Sequence, residues 1–166
     1  MIGGFTGHYL LMAIGACSNI MKHNNTVKIY HHDTDCYNVV WHGSYFKWFE
    51  IGRVELSTVA GIDFKVLDEM GILLPVVNVN CRYKRPAKLF DEICISTSIK
   101  ELRTTSITFL HTITNIENNV LILEADTTIV TTDRNGKLFR KMPEYLYNNY
   151  KKAIKNSECL TAESFK

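Results

Sequence analysis

The chain has 166 residues, 46% of them apolar and 22% charged, which is one domain's length with enough apolar chain to bury a core and excludes global disorder. Its 19 basic residues nearly balance its 17 acidic ones, for a formal net charge of +2, so the basic excess of a nucleic-acid-binding chain is absent. The 5 cysteines (Cys17, Cys36, Cys81, Cys94, Cys159) are odd in number and lack a Cys-x-x-Cys pair, so free thiols in a reducing, cytoplasmic compartment are expected rather than a disulfide scaffold or a metal site.

Residues 1–25 read as an N-terminal extension. Tyr9 to Ala16 is apolar but too short to span a membrane, and no Lys or Arg precedes it as a secretory leader requires. A short buried helix or an irregular extension is the expectation there. A single domain is expected over 26–155. Thr26 to Tyr30 alternates and is rich in β-branched residues, which predicts a first strand. The polar run from His31 to Asn38 predicts a loop. A helix is predicted over Ser44 to Ala60, with Tyr45, Trp48 or Phe49, Gly52, Leu56 and Val59 at helical spacing. Ser44 suits its N-cap and Gly61 its C-terminus. Gly52 inside it costs about 1 kcal/mol against Ala unless close packing uses it. After a short helix around Phe64 to Met70, extended segments are predicted at Leu73–Tyr83, Ile93–Leu102, Ser106–Ile113 and Val120–Thr131. Asn135-Gly136 marks a tight turn, and Pro143 opens a last helix. Residues 156–166 read as a polar tail. The pattern is α+β with a mostly antiparallel sheet.

Asp33 and Asp35 stand in the polar loop just before the long helix. By themselves they are solvated loop residues or a general base, and their spacing fits no metal-binding loop. A helix N-terminus behind them exposes unpaired amides that can hold developing oxyanion charge. His42 acts there through its imidazole or through its backbone N–H. Arg82, Lys84, Arg85 and Lys88 cluster around Pro86, either as a solvated face or as a seat for phosphates.

The stretch from Asp33 to Glu50, DTDCYNVVWHGSYFKWFE, continued by Arg53 and Glu55, resembles the signature of the hotdog-fold acyl-CoA thioesterases. The resemblance is to the 4-hydroxybenzoyl-CoA thioesterase family. Tyr83, Pro86-Ala87 and Asp91 are similar to its later strand and turn pattern. The resemblance implies a hotdog fold, with an antiparallel sheet wrapped around a long central helix. It implies hydrolysis of acyl-CoA thioesters to free acid and coenzyme A, on short-chain or aromatic acyl groups. It implies a homodimer or a dimer of dimers, no metal, and no cofactor beyond the coenzyme A of the substrate. By motif position Asp35 is then the catalytic carboxylate, and His42 and Gly43 contribute the amides that polarise the carbonyl. Asn38, Val40, Trp41 and Tyr45 line the acyl pocket, and Arg82, Lys84, Arg85 and Lys88 meet the nucleotide phosphates. Asn38 stands where the family has Gly, and Asn tolerates left-handed backbone better than most residues. The alternative is a hotdog protein that binds or senses acyl-CoA without cutting it.

Overall fold

The computed structural model describes residues 21–162, with side chains to residue 155. In chain order it contains β1 (Lys22–Lys28), a single 3-10 turn (His31–Asp33), α1 (Ser44–Val59), α2 (Phe64–Glu69), β2 (Val76–Tyr83), β3 (Glu92–Leu102), β4 (Ser106–Asn115), β5 (Leu121–Val130) and α3 (Glu144–Ala162). The apolar segment Tyr9 to Ala16 lies outside the described residues.

The strands form one sheet in the order β1-β3-β4-β5-β2, with every neighbouring pair antiparallel. Alternation decides which face is which. Ile107, Phe109 and Ile113 of β4 and Leu123, Ala125 and Ile129 of β5 point inward and are buried. Thr108, Thr112, Glu124 and Asp126, at the intervening positions, form the polar outer face. α1 packs on the inner face against β1, β3 and β4. It buries Tyr45, Trp48, Phe49 and Leu56, each contributing roughly 1.5–3 kcal/mol through lost apolar exposure. α3 covers the far end of the sheet, where Tyr150 meets Phe109 edge-on with ring centroids 6.1 Å apart.

The predicted helix and its end are where the sequence placed them. Gly61 follows the α1 C-cap with φ +85°, a conformation that favours glycine. Gly52 is explained by contact: a Cβ there would lie 2.2 Å from Thr97 Oγ1, so the glycine lets α1 lie directly on β3. Thr97 in turn hydrogen-bonds Nδ1 of the buried His111 at 3.0 Å. Burial, aided by the charge of Arg53, pushes that imidazole's pKa down to about 4.

Three expectations are corrected. The first strand begins at Lys22 rather than Thr26, so the proposed 1–25 extension gives up its last residues to the sheet. His23 and Asn25, on the inward side of β1, both reach Glu55 of α1, His23 at 2.8 Å. A polar strand anchored by side-chain bonds leaves no apolar alternation to read. At the other end, α3 continues through Ala162, past the expected tail boundary at residue 156, and no Gly or Pro interrupts the sequence there. The third correction concerns Ser44, which is the first helical residue and not the cap. Gly43 holds the cap position, no side chain caps the helix, and Ser44 Oγ donates to the Asp33 carbonyl at 3.1 Å.

The bonds from Asn25 and then His23 hold the Glu55 carboxyl below its ordinary pKa of 4.5. A depressed carboxylate stabilises the fold above its unfolded-state pKa, and that stabilisation is lost as pH falls through the folded-state value. Glu55→Gln should therefore be less stable than the parent at neutral pH, by less than about 1 kcal/mol for so exposed a group. The gap should close in acid. Urea melts at pH 7 and pH 3 measure it, and a gap unchanged by pH would contradict the assignment.

Candidate active site

Two loops meet at the end of the sheet where β1 finishes, α1 begins and β2 finishes. One runs from Ile29 to Gly43, the other from Lys84 to Asp91. They are tied by Val40 N–H to the Ala87 carbonyl at 2.9 Å, Leu89 N–H to Asn38 at 3.3 Å, and Phe90 N–H to Ile29 at 3.0 Å. Asn38 has φ +59°, so the position where the family has Gly is left-handed and Asn supplies it.

The structure separates the two loop carboxylates. Asp33 is 4% exposed, and its Oδ2 accepts the Tyr30 N–H at 3.1 Å. Its carbonyl also accepts Trp41 N–H at 2.9 Å, so Asp33 holds the loop together. Asp35 is half-buried, with Oδ1 accepting the Tyr37 N–H at 2.8 Å. Among the described residues no donor meets its second oxygen. Its own N–H binds the Val39 carbonyl at 2.9 Å, which draws the turn against the segment leading into α1.

At the helix start the amides of His42 and Gly43 donate to no acceptor among the described residues. Gly43 N–H, at the cap, is an unpaired donor of the helix N-terminus, and His42 N–H stands one residue before it, near the positive end of the dipole. Beside them lies an open cavity of about 350 Å³, lined by Val39, Val40, His42, Tyr45, Tyr83, Lys84, Arg85 and Pro86. Tyr45 meets Tyr83 edge-on at 5.7 Å and Trp48 at 5.3 Å. Burial pushes the Tyr45 hydroxyl up to about 12 and raises that of Tyr83, so both rings are neutral walls at physiological pH. The Nζ of Lys84 stands 3.4 Å from Glu124, and with Arg85 it makes the cationic part of the lining.

Of the expected pocket residues, Val40 and Tyr45 line this cavity, while Asn38 and Trp41 do not. Of the expected phosphate contacts, Lys84 and Arg85 line it. Arg82 faces the other side of the sheet, where it borders a shallow polar recess with Asn80, Lys100, Glu124 and Asp126. The Lys88 side chain is exposed and off the cavity wall. Tyr83, Val39 and Pro86 are walls that the sequence reading did not assign. The inward parity of Tyr83 with Cys81 on β2 is the signal that could have found the first of them.

An antiparallel sheet on one long helix, with free helix-start amides beside a small apolar cavity, is the arrangement of a hotdog-fold acyl-transfer site. The family model of the thioesterase-like superfamily matches residues 29–150. The acyl-CoA thioester hydrolase YbgC of Escherichia coli O6:H1 is 31% identical over 125 residues, covering 75% of this chain and 92% of its own. Among solved structures, a DHNA-CoA thioesterase from Staphylococcus aureus superposes with a TM-score of 0.73 at 20% identity, covering 87% of this chain and 96% of that one. A 4-hydroxybenzoyl-CoA thioesterase variant complexed with 4-hydroxybenzoyl-CoA does so at 0.69 and 22% identity, covering 77% and 97%. The chain belongs to the thioesterase-like superfamily, as an acyl-CoA thioesterase of hotdog fold.

Proposed function

We propose that the enzyme hydrolyses short-chain or aromatic acyl-CoA thioesters with Asp35 as general base. The observation that supports the reading is a pair of free amides at the helix start, His42 lining a small apolar cavity, with the partly free carboxylate of Asp35 in the same loop though not on the cavity wall. The thioester oxygen accepts from the His42 and Gly43 N–H groups, which stabilise charge as it develops. Asp35 takes a proton from water while the water oxygen bonds to the carbonyl carbon. The C–S bond then breaks, and the coenzyme A thiolate leaves and is protonated, yielding free acid and thiol. One Asp35 oxygen is already held by the Tyr37 N–H, which suits a proton acceptor better than an attacking nucleophile. Water and the substrate balance this reaction, and the proposed route calls on no cofactor or metal.

A cavity of about 350 Å³ is at the small end of ligand pockets, which run to roughly 1,000 Å³. Its lining of Tyr45, Tyr83, Val40 and Pro86 favours a compact or flat acyl group, and Lys84 and Arg85 offer charge to the phosphates. The aromatic acyl-CoA substrates named for two of the structural neighbours point the same way. Free thiols at Cys36, Cys81 and Cys94 support a reducing, cytoplasmic setting. Free-thiol release across short aliphatic, branched, aromatic and long-chain acyl-CoAs tests the proposal. Release should be fastest for a short or aromatic group. Binding without release from folded protein would instead make this a carrier or sensor.

The active unit in this reading is a homodimer, alone or paired into a tetramer. β2 is an outermost strand whose Val76, Val77 and Val79 are 43%, 57% and 39% exposed. An apolar edge of this kind invites pairing with a second strand, and antiparallel pairing with a second β2 would satisfy it. The expected mass in solution is at least twice the 19.1 kDa chain. Val77→Lys should shift sedimentation toward the monomer, and a wild-type protein that sediments as a monomer would refute the arrangement.

A further inference from the structure

Trp41 stands in the acyl-pocket motif yet lines no part of the cavity, and its surroundings suggest a different task. Its six-membered ring occupies the place a Gly43 side chain would take. A Cβ on Gly43 would lie 2.1 Å from Trp41 Cζ3, 2.3 Å from Cη2 and 2.6 Å from Cε3. Gly43 has φ −71° and ψ −25°, a backbone any residue adopts, so space and not conformation requires glycine here. The indole also meets the His42 imidazole, with ring centroids 4.9 Å apart and tilted by 54°.

The backbone of Trp41 is fixed on both sides. Its N–H donates to the buried Asp33 at 2.9 Å, and its carbonyl accepts the Ser44 N–H at 2.9 Å. The residue itself remains 51% exposed. Core filling does not account for a large aromatic that stays half in water and presses on one glycine.

We propose that Trp41 is a positioning residue that clamps the chain at His42 and Gly43 so that their two N–H groups face the thioester oxygen. The proposal rests on the hydrolytic reading above. The ring edge, filling the space beside Gly43, restricts rotation of the backbone there. Donors set before the substrate arrives need no reorganisation during the reaction. A donor pair misplaced by about 1 Å can lose up to roughly 10²-fold in rate.

The test is steady-state thiol release by W41A and W41F, with D35N in the same assay and thermal melts for all three. W41A should lose about tenfold in kcat with KM for the acyl-CoA nearly unchanged. W41F, which restores an aromatic ring, should recover part of that loss and keeps the test open if W41A fails to fold. A raised KM at unchanged kcat would make Trp41 a pocket wall and overturn the clamp. Unchanged kcat and KM would overturn it equally. Should D35N itself retain full turnover, the hydrolytic reading fails, a result separate from either outcome at Trp41.

Discussion

Asp35→Asn should remove nearly all thiol release, by about 10²–10⁴-fold, while melting at close to the parent temperature. The amide oxygen of Asn can still accept the Tyr37 N–H that Asp35 Oδ1 accepts at 2.8 Å, so the turn survives. What disappears is the carboxylate that the proposal assigns to take a proton from water. The same assignment predicts that a single turnover in ¹⁸O-labelled water leaves Asp35 unlabelled, because no acyl–aspartyl anhydride forms. Label in Asp35 would change its role to nucleophile. Undiminished turnover in folded D35N would remove it from the chemistry altogether.

Gly43→Ala should keep the fold and lose about tenfold in kcat, as W41A does. The added methyl meets only the ring edge of a half-exposed side chain at close range, with Trp41 Cζ3 at 2.1 Å. The indole can swing into solvent, so folding is spared while the clamp opens. Tryptophan fluorescence should shift to the red, since Trp48 is 3% exposed and stays in the core. The double variant W41A/G43A should be no slower than W41A alone, because the three atoms nearest the added methyl all belong to the indole. A double variant as slow as the product of the two single losses would show that Gly43 serves something other than room for the ring. The cycle separates the two because the residues are in direct contact, where additivity is expected to fail.

Much of this molecule was legible from local pattern. The long helix showed in the spacing of Tyr45, Gly52 and Leu56, and its end showed in Gly61. Strands β3, β4 and β5 showed in alternation, and α3 in Pro143. The loop before α1, with Asp35, was recognisable from its motif, and Asn38 was a fair substitute for glycine at a left-handed position. β1 was read late because KHNNTVK joins the sheet through backbone bonds and is anchored by Glu55, neither of which leaves an apolar signature.

The site divides along the same line. Sequence by itself determined the α+β class, since periodicity and turn chemistry act over a few residues, and its motif before α1 carried the resemblance that implied the hotdog architecture. Only the tertiary structure decided where each residue of the site stands. Asp33 is buried as a loop tie while Asp35, two residues on, stays partly free, because the loop folds back on α1 and encloses one carboxylate. Arg82 leaves the site and Tyr83 enters it because strand parity sends adjacent side chains to opposite faces. Trp41 leaves the pocket wall and lies beside Gly43, because side-chain direction at the mouth of a helix depends on the packing of two loops about 40 to 60 residues apart in the chain.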